Sequence, residues 1–169
     1  MQASTFAKCM AHLTGAFAKP VPEGVPRVWA AVFHDVDDET FIRAVRRVAA
    51  TEKWWPSLAV MAENIVAVRD GLPSAEQAFS QVLSSIREEI APSAVHQLAL
   101  DVANDVGWRR IEDRPEESRK AFLDIYAQRC AERATELVER AGLQDGSRAP
   151  RLDPEAGSSG EDEEPAADA

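Results

Sequence analysis

The sequence predicts an all-α protein, and three observations carry this prediction. Apolar residues recur at steps of three and four through nearly all of residues 1–142, which is the spacing of one helix face. No segment alternates apolar and polar residues over a length that indicates a strand. Proline, glycine and capping residues divide the periodic region into about seven helices, which we expect to pack as a compact bundle.

Two helices separated by a proline-rich loop are predicted within residues 1–33. The first ends near Pro20, because the residue before a proline is disfavoured in a helix. Its apolar stripe consists of Phe6, Met10, Leu13 and Phe17. The second begins at Pro26, whose missing N–H is harmless in a first turn. Its predicted buried residues are Val28, Trp29, Val32 and Phe33.

A third and a fourth helix follow an acidic turn. We expect the aspartates at positions 35, 37 and 38 to cap the third helix, because carboxylates accept hydrogen bonds from its free N–H groups. The third helix has an apolar face of Phe41, Val45 and Val48 and an opposite basic face of Arg43, Arg46 and Arg47. Pro56 stops it, and Ser57 is the predicted N-cap of the fourth helix. The stripe of that helix is Leu58, Met61, Ile65 and Val68.

A boundary is predicted at residues 71–73, between an N-terminal module (residues 1–70) and a C-terminal helical region (residues 74–142). Ser74 and Gln77 have the spacing of a capping box and begin a fifth helix that reaches Ile90. A sixth runs from Pro92 to Gly107, and the longest runs from a cap at Asp113 to Gly142. Their apolar residues are Phe79, Val82, Leu83, Ile86 and Ile90, then Val95, Leu98, Val102 and Val106, then Phe122, Ile125, Tyr126, Leu137 and Val138.

The composition changes at residue 143. Residues 143–169 are rich in glycine, proline and acidic residues, and their only large apolar side chains are two leucines. Such a segment buries too little surface to offset backbone entropy, so we expect a disordered acidic tail. This tail carries a net charge of −6 out of the total of −10. The remaining body is therefore only mildly acidic, and a local basic face on it is allowed.

Several classes of function are disfavoured. The longest apolar run is far below the roughly 20 residues of a membrane span, and residues 1–19 lack the pattern of a secretory signal, so we expect a cytoplasmic protein. No glycine-rich phosphate loop is present, which argues against an ATPase. Cys9 and Cys130 have no CxxC spacing and are expected to be reduced and partly buried. We expect no enzymatic activity and no cofactor.

The segment from His34 to Asp38 superficially resembles a metal-ligand cluster, because imidazole and carboxylates together suit divalent ions. The preferred interpretation is a turn between helices in which the aspartates act as caps. No other histidine or cysteine has metal-ligand spacing, so no metal site is predicted.

The candidate binding residues lie around the end of the third helix: Trp54, Trp55, Arg43, Arg46 and Arg47. Three arginines on one helical face, near a tryptophan, can contact phosphates and stack on a base. Adjacent tryptophans cannot easily both face inward, so one is a candidate interaction anchor. The alternative is structural, with Trp55 in the core and Trp54 lying along Lys53 or an arginine. The acidic run 161–164 either binds a basic partner or only keeps the protein in solution.

A family pattern spans residues 25–67. It consists of Val28-Trp29, Phe33, Asp35-Val36-Asp37-Asp38, Ala44-Val45 and the stretch Thr51-Glu52-Lys53-Trp54-Trp55-Pro56-Ser57-Leu58-Ala59 that runs to Glu63. This pattern resembles the N-terminal helical module of the phage replicative-helicase loader and inhibitor family. Later motifs fit the longer phage and prophage proteins of that type, namely Val106-Gly107-Trp108 and Phe122-Leu123 with Tyr126. Together the motifs cover about half the chain.

The resemblance implies an adaptor without enzymatic activity. Members of the family bind a DnaB-type hexameric helicase, hold it inactive and release it on origin DNA through a phage initiator protein. The family's C-terminal part is less ordered, whereas residues 74–142 of this chain are predicted to be folded. Two alternatives stay open: a DNA-binding replisome organiser or regulator, which contacts DNA weakly through the basic face, and a phage structural component such as a tail-assembly chaperone.

Overall fold

The computed structural model describes residues 1–145, and the regular structure in this range is entirely helical, which confirms the all-α prediction. The α-helices are α1 (Ala3–Phe17), α2 (Val25–Val32), α3 (Asp38–Thr51), α4 (Leu58–Arg69), α5 (Ala75–Ile86), α6 (Gln97–Val106), α7 (Trp108–Asp113) and α8 (Pro115–Asp145). A 3₁₀ turn at Pro92–Ala94 precedes α6. The predicted disordered tail lies outside the described residues from position 146 onward.

Helix α8 organises the packing. Its most extensive contacts are with α4, and it also contacts α2, α5, α6 and α7, while α3 packs between α1 and α4. The buried residues form one continuous cluster that includes Trp29 and Phe41 from one side of the predicted boundary and Phe79 and Phe122 from the other. The two predicted regions therefore share a single core.

The predicted helix starts of α3, α4 and α5 are confirmed by their side-chain caps. The Asp37 carboxylate accepts from the Thr40 N–H at 2.8 Å, and the Ser57 hydroxyl accepts from the Val60 N–H at 3.2 Å. Ser74 and Gln77 form the expected capping box, with reciprocal bonds of 3.0 and 3.2 Å. Each cap satisfies N–H groups that have no partner within the helix.

The structure corrects the prediction between residues 86 and 97. Helix α5 ends at Ile86 rather than Ile90, because Glu88 adopts a left-handed conformation at φ 59° and turns the chain away. Helix α6 begins at Gln97 rather than at Pro92, and its cap is the Nδ1 atom of His96, which accepts from the Leu98 N–H at 3.1 Å.

The chain around α7 and α8 also differs from the prediction. Gly107 (φ 96°, ψ 116°) ends α6, and the short helix α7 that follows includes Asp113. Asp113 therefore does not cap α8, which begins at Pro115. Helix α8 continues three residues past Gly142, because a glycine weakens a helix without forcing it to end.

Val28 was predicted to be buried and is 49% exposed. The buried stripe of α2 continues from Trp29 to Phe33, one helical turn apart, and Val28 lies beside this stripe on the outward side. A short helix buries only a narrow face, so one apolar residue in its pattern remains outside.

The turn at residues 71–73 is fixed by two side chains from the C-terminal half. The Tyr126 hydroxyl donates to the Pro73 carbonyl at 3.0 Å, and burial raises the pKa of this phenol above its usual value. With His96 Nδ1 accepting at the start of α6, the other ring nitrogen, Nε2, carries the proton and donates to the Asp70 carbonyl at 3.1 Å. Both bonds connect the predicted boundary to the shared core.

The left-handed residue at the end of α5 leads to a stability prediction. Glu89 N–H donates to the Ser84 carbonyl and Glu88 N–H to the Ser85 carbonyl, which is the Schellman pattern in which glycine is favoured at the position of Glu88. We expect Glu88→Gly to stabilise the protein by about 1 kcal/mol and to raise Tm by about 2–4 °C in thermal unfolding followed by circular dichroism. The control is Glu89→Gly, whose position has no positive φ. Equal changes in Tm for the two variants contradict the prediction.

Candidate partner-binding surface

The loop between α3 and α4 carries two tryptophans with different environments. Trp55 is partly buried, and its ring centroid lies 5.9 Å from that of Phe17 and 6.3 Å from that of Trp29. Trp54 is 70% exposed. Trp55 therefore packs against the core, as the structural alternative predicts. Trp54 remains on the surface, in agreement with the expectation that two adjacent tryptophans do not both face inward.

The partner of Trp54 differs from the prediction. The Lys19 ammonium lies 4.7 Å from the centroid of the Trp54 ring, in place of Lys53 or an arginine. The reason is the arrangement of α1 and α3. Thr5 contacts Asp38 near the start of both helices, and Lys19 contacts Trp54 past their ends, so the two helices run in the same direction. A cation over an exposed indole contributes about 0.5–1 kcal/mol.

The three predicted arginines of α3 are exposed, and none forms an ion pair with a residue in the described part of the chain. They do not act as one cluster, however. Arg46 lines a groove between α1 and α3, whereas Arg47 lines a different groove against α4 and α8. Consecutive residues are rotated by about 100° around a helix, so neighbouring arginines face different helices. The prediction that the three guanidinium groups share a common face is therefore wrong for Arg46 and Arg47.

The groove between α1 and α3 has a basic rim and an apolar floor. Its lining residues are Thr5, Lys8, Cys9, His12, Ile42, Val45 and Arg46. Burial raises the pKa of the Cys9 thiol, with a further rise from Asp38 and an opposing effect of Arg46, so this thiol is protonated at neutral pH and is a poor nucleophile. The groove therefore offers cationic side chains for binding and no activated group for covalent chemistry.

The sequence analysis missed Lys8 and His12 as members of this surface. They stand four residues apart on α1, away from the buried Cys9, Met10 and Leu13. The signal that could have revealed them is their helical spacing opposite the apolar stripe. Their position beside Arg46 depends on the packing of α1 on α3, which the pattern of either helix alone does not give.

The acidic turn before α3 acts as a set of hydrogen-bond acceptors. Hydrogen bonds from Thr40 hold the pKa of Asp37 below its usual value, and the Thr5 hydroxyl and then the Gln2 N–H do the same for Asp38. His34 lies 3.0 Å from Asp35. Within residues 1–145, no three His, Cys, Asp or Glu side chains are arranged to hold a metal ion. Of the three aspartates predicted to cap α3, only Asp37 does so, whereas Asp38 accepts from Gln2 and Thr5 and Asp35 lies beside His34.

A second charged cleft lies between α4, α6 and α8, and most of its charged side chains are paired with one another. The Asp70 carboxylate lies 2.8 Å from Arg69 and 3.3 Å from Arg133, and the hydrogen bond from Arg69 is the main cause of its lowered pKa. Arg129 pairs with Asp105 at 3.2 Å. These ion pairs connect α8 to α6 and to the end of α4. Because the charges already have partners within the protein, this cleft is a weaker candidate for a binding site than the α1–α3 groove.

No helix within residues 1–145 is both long enough and apolar enough to cross a lipid bilayer. In comparisons with known proteins, no family model, no curated protein and no solved structure matches the chain.

Proposed function

We propose that this protein is a cytoplasmic phage or prophage DNA-replication accessory protein that binds a DnaB-type hexameric helicase and loads or inhibits it. In this proposal it is an adaptor without enzymatic activity of its own, and a phage initiator protein is a second partner. The proposal extends the resemblance of residues 25–67 to the helicase loader and inhibitor family.

The observation that carries the proposal is the exposure of Trp54 at the corner between α3 and α4. Large aromatic side chains dominate binding energies at protein interfaces, and Trp54 is one of two large apolar residues that are exposed in the described part of the chain. Trp55 anchors the same loop in the core through Phe17 and Trp29, so the exposed ring is presented from a fixed position. The surface therefore loses little conformational entropy on binding.

The arginines of α3 extend this surface. Arg43, Arg46 and Arg47 precede the tryptophan loop and are exposed, and arginine is the charged residue most enriched in interface hot spots. In the proposal, Trp54 and these arginines contact the helicase, and Trp55 positions Trp54. An adaptor of this kind shifts the helicase between states by binding one state more tightly than the other, which requires no chemistry.

The decisive experiment is size-exclusion chromatography of the full chain with the replicative helicase of its phage or host. We expect co-elution at micromolar concentrations. A matched run with a hexameric ATPase of another family serves as the control for non-specific association. Separate elution from the helicase contradicts the proposal, and so does equal co-elution with the control ATPase.

A further inference from the structure

The acidic residues of this protein are unevenly distributed over its helices. The chain has 29 Asp and Glu against 19 Lys and Arg, yet residues 1–22 and 40–51 contain five Lys and Arg and no acidic residue. These two segments include all of α1 and most of α3, which pack side by side. The groove between α1 and α3 is therefore lined by the basic side chains Lys8, His12 and Arg46, on a molecule whose total charge is −10, while Arg47 faces a different groove and Asp38 lies near the start of both helices.

The basic side chains of this groove continue past the end of α1. Lys8 and His12 stand four residues apart on one stripe of α1, Lys19 follows the end of this helix after the left-handed Ala18, and all three side chains are exposed. Arg46 lies across the groove from Lys8 and His12. We call Lys8, His12, Arg46 and Lys19 the basic track.

The track ends at an aromatic platform. Lys19 lies over the Trp54 ring at 4.7 Å, and 70% of the Trp54 surface is nevertheless exposed. The carboxylate nearest the opposite end belongs to Asp38, which accepts hydrogen bonds from Gln2 and Thr5. The track thus runs from the hydrogen-bonded carboxylate of Asp38, which keeps its negative charge, along a basic groove to a stacking surface.

We infer that this face binds single-stranded nucleic acid, with phosphates along the basic track and a base stacked on Trp54. Non-specific single-strand binding combines a positive groove with an aromatic side chain, and stacking contributes about 1–3 kcal/mol per base. A single strand is favoured over a duplex because an unpaired base presents its ring face to an indole, whereas the bases of a duplex are already stacked on one another. This inference shares Trp54 and Arg46 with the proposed helicase contact, but each can hold without the other.

The test is fluorescence anisotropy of fluorescein-labelled dT20 titrated with the full chain, compared with the same strand in a dA20·dT20 duplex. We expect the single strand to bind at least tenfold more tightly than the duplex. Three phosphate contacts, from Lys8, Arg46 and Lys19, give a log–log salt slope of about −2 and weaken binding about 20-fold between 50 and 200 mM salt. Equal or tighter duplex binding overturns the inference, and so does affinity that does not change with salt.

The double variant Lys8→Gln with Arg46→Gln locates the site. We expect it to weaken dT20 binding about tenfold or more and to reduce the salt slope by about 1.4. The matched control is Arg109→Gln with Arg110→Gln, which removes the same charge from exposed residues of α7. Equal losses of dT20 affinity in the two double variants mean that only net charge matters, and they overturn the assignment of binding to the basic track. The single variant Lys8→Gln leaves Trp54 and Arg46 intact, so its helicase co-elution, measured beside its affinity for dT20, separates failure of this inference from failure of the proposed function.

Discussion

Trp29→Ala is expected to destabilise the protein by about 3–5 kcal/mol, a large part of the 5–15 kcal/mol by which domains are stable. Trp29 is 2% exposed, and its ring contacts those of Phe33 at 6.0 Å and Trp55 at 6.3 Å. Trp55 in turn contacts Phe17 of α1. The truncation therefore leaves a cavity at the point where α1, α2 and the α3–α4 loop meet. Urea unfolding followed by circular dichroism measures the loss.

The matched control for this variant is the preceding residue of the same helix. Val28 is 49% exposed, and Val28→Ala is expected to change the free energy of unfolding by no more than about 0.5 kcal/mol. Both substitutions place alanine in α2, so a difference in helix propensity cannot explain a large gap between them. Similar losses for the two variants contradict the assignment of Trp29 to the core.

Trp54→Ala is expected to weaken the proposed complex with the helicase by about 2 kcal/mol or more, which corresponds to roughly 30-fold in Kd. The exposed ring is the largest apolar surface that this corner offers to a partner. Its loss removes that contact and leaves Lys19 without its aromatic neighbour. Isothermal titration calorimetry with the purified helicase measures the change in Kd.

Two further measurements keep this result interpretable. Trp54→Phe retains an aromatic ring and is expected to recover most of the affinity, whereas a purely local disturbance of the loop affects both variants. The free energy of unfolding of Trp54→Ala should fall by no more than about 1 kcal/mol, because the side chain is mostly exposed and loses only its contact with Lys19. An unchanged Kd for Trp54→Ala assigns helicase binding, if present, to another surface.

The helices and their caps follow from local rules. The apolar periodicity gives the stripes of α1, α3 and α4, and the capping residues Asp37, Ser57 and Ser74 were identified correctly. These features depend on residues that lie within one or two helical turns of each other. The end of α6 at Gly107 was predicted, but the break near Glu88 and the short helix α7 were missed, because a helix with a continuous apolar pattern can be interrupted by a backbone conformation that the pattern does not encode.

The surface depends on contacts between distant residues. That one tryptophan of the pair must remain outside follows from their adjacency, but that Trp55 enters the core is decided by Phe17 and Trp29, which lie 38 and 26 positions away. The pairing of Lys19 with Trp54, and the meeting of Lys8 and His12 with Arg46, arise only when α1 packs along α3. A helix pattern specifies which side of each helix is buried. Which helices become neighbours, and therefore which exposed side chains share a groove, is set by the packing of the whole core.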